Sequence, residues 1–279
     1  MFKKNLVLLA AILVLGLGAL SSCSDDPPPA PAPAPAAPAP SAPPPAPKPV
    51  PGKVYINGID ADFPPFAYVG PDGQPTGFDV DAIDWIANEF GFKVEHHPME
   101  WSGIVASLKD GKIDMIASGL SVTEERATQI NFSLHYWTIK QVILGPADYN
   151  LSAEEALKAG LKIGVQAGTS DAKAMADTNG KDGRKYELVE YSSSALAAQD
   201  VANGRIDAAV MNDAPAAEAS KQLGHKIVGS AGIPDEAFAV GVNKADANTL
   251  KMVNEGLTKL MADPYWQELI DKYKPGEVH

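Results

Sequence analysis

The sequence predicts an α/β fold with largely parallel sheets, and three observations predict it. Short β-rich runs alternate with longer stretches of helical apolar spacing from about residue 54 onward. The alternation restarts after Gly145-Pro146, as if a second unit began there. One segment also recurs in outline: residues 107–119, with Gly111-Lys112-Ile113-Asp114, are echoed by residues 202–213, with Gly204-Arg205-Ile206-Asp207. Each copy reads as a helix end, a glycine cap, a basic residue, Ile-Asp, a buried strand and a polar step.

In chain order, residues 53–59 should form a strand and 80–90 a helix, followed by strands over 93–97, 113–117 and 139–144. A helix between the first two of these three strands should begin near Trp101, with Ile104, Val105 and Leu108 at core spacing. The second unit should hold helices over 153–159, 171–177, 195–203 and 215–223, and strands over 161–165, 186–189, 206–211 and 237–242. Helices over 248–261 and 265–273 close the chain. Two similar lobes are the expected result. Ligands of open α/β sheets sit beyond the carboxyl ends of strands, so Ser118-Gly119 and Asn212-Asp213 should face one crevice.

Ahead of these elements lies a different kind of sequence. Lys3 and Lys4 precede an uncharged apolar run over 6–20 and the small residues Ser21 and Ser22. The run is shorter than the ~20 residues of a membrane span, so residues 1–22 read as an export signal. Leu20-Ser21-Ser22-Cys23 resembles the bacterial lipobox, in which the cysteine is lipidated. Cys23 is the single cysteine, which excludes an intramolecular disulfide. Residues 23–51 are then the lipidated end and a proline- and alanine-rich spacer that builds no core. The expected location is extracytoplasmic, at a membrane, in the periplasm or at the cell surface. A formal charge of −12 over 279 residues argues against nucleic acid as a partner.

Several residues carry candidate chemistry. Ser118, Gly119, Ser121 and Thr123 precede an acidic helical turn, Glu124-Glu125, and Arg126 lies close enough to reach back over it. Amides, hydroxyls and guanidinium there suit a carboxylate, the plainer reading being a capping box beside a solvated arginine. Gln166-Ala167-Gly168-Thr169-Ser170 offers a matching glycine turn with two hydroxyls at a helix start. Asp213 reads as a counter-ion for an ammonium group or as an N-cap, and Asp60 as a second polar contact. Phe63 and Trp101 read as apolar walls or as core, and Phe66 as core. His96 and His97 are adjacent and point to opposite faces of a strand, which speaks against a shared metal. No cofactor is expected, and neither a phosphate loop nor a nucleophile elbow is present.

Taken in order, Gly77-Phe78-Asp79-Val80-Asp81, the Ser118–Arg126 segment, the Gly164–Ser170 segment and Asn212-Asp213 resemble the extracellular solute-binding proteins of polar amino acid ABC transporters. The resemblance covers residues 52–276 and implies the type II periplasmic binding fold, with 52–139 and 240–279 as lobe 1 and 140–239 as lobe 2. Crossings near 138–142 and 238–241 would form the hinge about which the lobes close. It implies that Arg126, Ser121 and Ser170 hold a ligand α-carboxylate, and that Asp213 and the Gly119 backbone hold its ammonium. Phe63 and Trp101 would flank the side chain, with Asp60, Ser118, Gln166, Asp171 and Thr169 also around the ligand. Leu134-His135-Tyr136-Trp137 departs from the family's usual acidic residue and paired tyrosines, which leaves side-chain specificity open. The implied partner is a membrane permease, and the implied state a monomer. The alternatives are a cyclohexadienyl dehydratase-like enzyme using Asp60 or Asp171, and a sensor docking on a receptor.

Overall fold

Residues 47–275 are described by the computed structural model. The expected signal, Cys23 and most of the spacer lie outside the described residues. At the spacer's end Pro47 is buried. Asn248 Nδ2 donates to the Lys48 carbonyl at 3.0 Å, and the Val50 N–H donates to Tyr55 Oη at 3.2 Å.

The first strand, β1 (Val54–Ile59), leads into a small antiparallel sheet of β2 (Asp62–Phe63), β3 (Ala67–Val69) and β4 (Pro75–Thr76). Helix α1 (Phe78–Phe90) ends at Gly91, whose φ of 70° gives the left-handed turn that stops it. Then come β5 (Lys93–Pro98), a 3₁₀ turn at Trp101–Gly103, α2 (Ile104–Lys109), β6 (Met115–Ile116), α3 (Glu124–Gln129) and β7 (Asn131–Ile139). The next stretch runs β8 (Gln141–Gly145), α4 (Ala153–Ala156), β9 (Leu161–Gln166), α5 (Ser170–Thr178), β10 (Tyr186–Tyr191) and α6 (Ser194–Ala202). It continues with β11 (Ala208–Asn212), α7 (Asp213–Leu223) and β12 (Lys226–Ser230). Strand β13 (Glu236–Val242) and helices α8 (Ala247–Ala262) and α9 (Pro264–Tyr273) complete the described elements.

These strands build two five-stranded sheets in the orders β5-β1-β6-β13-β7 and β10-β9-β11-β8-β12. In each, four strands run the same way and one runs against them, β13 in the first sheet and β8 in the second, so the sheets are largely parallel with one reversed strand. Apolar clusters cover both faces of each. Phe78, Ile83 and Ile86 of α1 and Leu257 and Leu260 of α8 pack with Met115 and Phe238 on one face of the first sheet, and Ile104 and Leu108 with Ile116 on the other. Met175 with Ile163 and Val201 with Met211 do the same for the second.

The echoed Ile-Asp has one physical role in both sheets. Asp114 Oδ2 accepts the Ile56 N–H at 2.8 Å, and Asp207 Oδ2 accepts the Lys162 N–H at 2.8 Å. Each carboxylate thus pins its strand to the neighbouring one.

The sequence reading needs three corrections. The strand expected over 113–117 shrinks to two residues, because the Asn57 side chain takes the Ala117 N–H at 2.8 Å and donates to its carbonyl at 3.2 Å in place of a strand partner. The strand expected over 139–144 is divided at Lys140: β7 ends at Ile139 in the first sheet and β8 begins at Gln141 in the second. β7 itself, and β12, were not anticipated. Burial along β7 is irregular and its register against β13 shifts twice, so no period of two marks it.

Candidate functional site

Every element that reaches the space between the sheets does so at a strand end or a helix start. Asp60 follows β1 directly, Ser118 and Gly119 follow β6, Gln166 ends β9, and Asn212 ends β11. Eleven of the twelve residues expected around a ligand line one cavity with about 280 Å³ of empty space. That lies near the lower end of the ~300–1,000 Å³ of small-ligand pockets. Asp213 is the exception, and the lining runs through Asn212 instead. Asp213 is the first residue of α7, where its Oδ1 accepts the Ala214 N–H at 3.0 Å, and partial burial raises its carboxyl above the ordinary value.

Thr123 caps α3 as expected, accepting the Arg126 N–H at 3.2 Å, but Arg126 is not a solvated neighbour of that cap. It is 8 % exposed. Its Nη1 donates to the Ser121 carbonyl at 2.9 Å and its Nη2 to the Gly168 carbonyl at 3.1 Å, with its guanidinium 5.5 Å from the Trp101 ring centre. Burial lowers its pKa, while the negative charges of Glu236, Asp171 and Glu125 oppose that shift. On the opposite side, Thr169 Oγ1 accepts the Ala172 N–H at 3.2 Å and starts α5, placing Ser170 and Asp171 in its first turn. Asp171 is buried, which raises its carboxyl to about 6; the Thr169 hydroxyl and the Arg126 charge hold it down, and Glu236 pushes it up.

Asp60 lies across the space from this group. Its carboxyl is raised by burial, opposed by two donors: Gln166 Nε2 at 2.6 Å and the Asp62 N–H at 3.1 Å. The Gln166 bond joins the end of β9 to the end of β1, and the Arg126–Gly168 bond joins the two sides again. The cavity is therefore enclosed by groups from both sheets. A buried cation that shares the cavity with serine and threonine side chains, and the Asp60 carboxyl at a second position, suit a ligand carrying both an anionic and a cationic group.

Gly119 is left-handed at φ +60°, and a Cβ there would stand 2.4 Å from Phe63 Cε1. Phe63 is held in turn by stacking on Phe66, which is core as expected. Behind Gly119 stands a residue whose role sequence reasoning missed. Asp79 Oδ2 accepts the Gly119 N–H at 2.6 Å and the Tyr136 hydroxyl at 2.7 Å. Burial raises its carboxyl to about 7. Glu236 was missed as well: Ser170 Oγ donates to its Oε2 at 2.6 Å. The Gly77–Asp81 motif drew attention to Asp79 without a role, and no local signal marked Glu236. His96 bonds Asp84 and His97 bonds Glu95, and no group of three metal-ligating side chains comes together among the described residues.

Residues 55–276 match the sequence profile of a family described as bacterial extracellular solute-binding proteins, family 3. A probable histidine-binding protein of Neisseria gonorrhoeae is 30 % identical over 226 residues, 80 % of this chain and 84 % of that one. An ancestral arginine-binding protein bound to glutamine superposes with a TM-score of 0.72 at 32 % identity, covering 79 % of this chain and 97 % of that one. A substrate-binding protein of an ABC uptake transporter from Streptococcus pneumoniae, with bound histidine, gives a TM-score of 0.73 at 29 % identity, covering 79 % of this chain and 92 % of that one.

Proposed function

This chain belongs to family 3 of the bacterial extracellular solute-binding proteins, and from that premise we propose that it captures an α-amino acid between its two sheets and delivers it to an ABC permease. Family members bind solutes and are not catalysts, so the dehydratase-like alternative is set aside. The observation that carries the reading is the buried Arg126 guanidinium, which lines one cavity with Ser121, Thr169 and Ser170 and with the carboxyls of Asp60 and Asp171.

In this reading Arg126, Ser121 and Ser170 take the α-carboxylate, and the Gly119 backbone, with Asp213 as the carboxylate drawn in from the start of α7, takes the ammonium. Phe63 and Trp101 flank the side chain, and Asp60 with Gln166 favours one that is polar or cationic. Relatives named for histidine or arginine fit that preference. A charge-assisted hydrogen bond contributes roughly 1.5–3 kcal/mol, so a few of them with closure reach the ~8 kcal/mol of micromolar affinity. Lipidation at Cys23 and a proline-rich spacer would hold this receptor at the membrane as a monomer beside its permease.

A thermal-shift screen of residues 45–279 against all amino acids and common amines tests the ligand class. A ligand at a hundred times its Kd adds about 2.7 kcal/mol to the folded state. At least one α-amino acid should raise the melting temperature, and no response to any of them contradicts the proposal.

A further inference from the structure

Ser170 is one of the hydroxyls given above to the ligand carboxylate, yet its proton is already engaged. Its Oγ donates to Glu236 Oε2 at 2.6 Å, and a serine hydroxyl has one hydrogen to give. Glu236 is the first residue of β13, paired with Ile139 where β7 ends, so the carboxylate comes from the strand that returns between the two sheets. It shares an outer groove with Arg126, Gly168 and Ser170, and its charge acts on both Arg126 and Asp171.

We propose that Glu236 stands in, from within the chain, for the ligand's carboxylate: it holds the Ser170 proton and balances part of the Arg126 charge until a ligand carboxylate replaces it. The inference rests on the amino acid reading of the cleft and adds a residue that sets affinity for carboxylate ligands. Two ionised carboxylates cannot both accept the single Ser170 proton. A bound ligand must therefore either win that hydroxyl from Glu236 or do without it, and it meets the repulsion of a like charge in either case. Glutamine at position 236 changes the donor count. Its amide N–H can donate to Ser170 Oγ, which frees the hydroxyl proton for the ligand and removes the repulsion.

Calorimetric titration of the full chain and of Glu236→Gln, Ser170→Ala and the double variant with L-arginine, L-histidine, their α-carboxamides and acetate tests this. Glu236→Gln should tighten binding of the amino acids by about tenfold or more and that of the carboxamides much less, because a neutral amide gains the freed hydroxyl but meets no like charge in the native chain. Ser170→Ala should cost little in the native background and about tenfold in the Glu236→Gln background, a coupling that a purely structural Glu236 would not produce. If the glutamine variant does not fold, Glu236→Ala should give a gain of the same sign. Unchanged or weakened amino acid binding, with the carboxamides moving in parallel, overturns the proposal and makes Glu236 a support for α5. Acetate separates the two readings. A gain for acetate without any amino acid binding upholds Glu236 and removes the amino acid assignment, and no gain for any carboxylate overturns the role of Glu236.

Discussion

Arg126 holds its charge where water barely reaches, and what surrounds it decides what that charge is for. Two carbonyls and an aromatic face orient it without neutralising it, since a carbonyl supplies a dipole and not a charge. Asp79 is a buried acid of the opposite kind. It accepts the Gly119 and Tyr136 donors on one oxygen, and burial still leaves its carboxyl at about 7. A carboxyl whose folded value is above its unfolded one favours the folded state at acid pH and loses that contribution as pH rises through the folded value. Asp79→Asn mimics the protonated form and keeps an oxygen for both donors. It should therefore gain stability relative to the native chain as pH rises from about 4 to about 8, measured by denaturant unfolding. A difference between the two proteins that does not vary with pH contradicts this. The hydroxyls lining the cavity with Arg126 were legible because they lie in two short segments, residues 118–126 and 166–170, each just before or at a helix start. Asp79 and Glu236 were not, because their partners are 40, 57 and 66 residues away and only the fold brings them together.

The glycine turn between β9 and α5 shows how an element sets the closed state. Gly168 has φ +78°, and a Cβ there would stand 2.8 Å from the backbone Cα of Ser102, on the first sheet's side of the cleft. Gly168→Ala should weaken amino acid binding by about tenfold or more through steric opposition to closure, with a lesser loss of thermal stability. Calorimetry checks it, and native affinity in the variant contradicts it. Element by element, the alternation of strands and helices was readable because parallel strands need helical crossovers. The echoed Ile-Asp was readable as a repeat, though its work, a carboxylate on a neighbouring N–H, needed the sheets. The division at Lys140 was not readable. Strand-forming residues flank it on both sides, Trp137-Thr138-Ile139 and Val142-Ile143-Leu144, and what changes there is which sheet the backbone joins.

At the scale of the whole molecule, two mixed sheets each bring loop and helix-start groups to one enclosed space, and neither sheet alone completes it. If Cys23 carries the lipid, Cys23→Ser should release the protein into the soluble fraction with ligand affinity unchanged, and a released, folded protein that no longer binds contradicts it. On the proposed function, the buried guanidinium grips a ligand carboxylate. Removing one partner of a buried charge pair costs roughly 3–5 kcal/mol. Calorimetric titration of the native chain and Arg126→Ala with the amino acid that stabilises the native chain most tests that claim directly. A loss of at least about a hundredfold in affinity is expected, and native affinity in the variant removes Arg126 from the site.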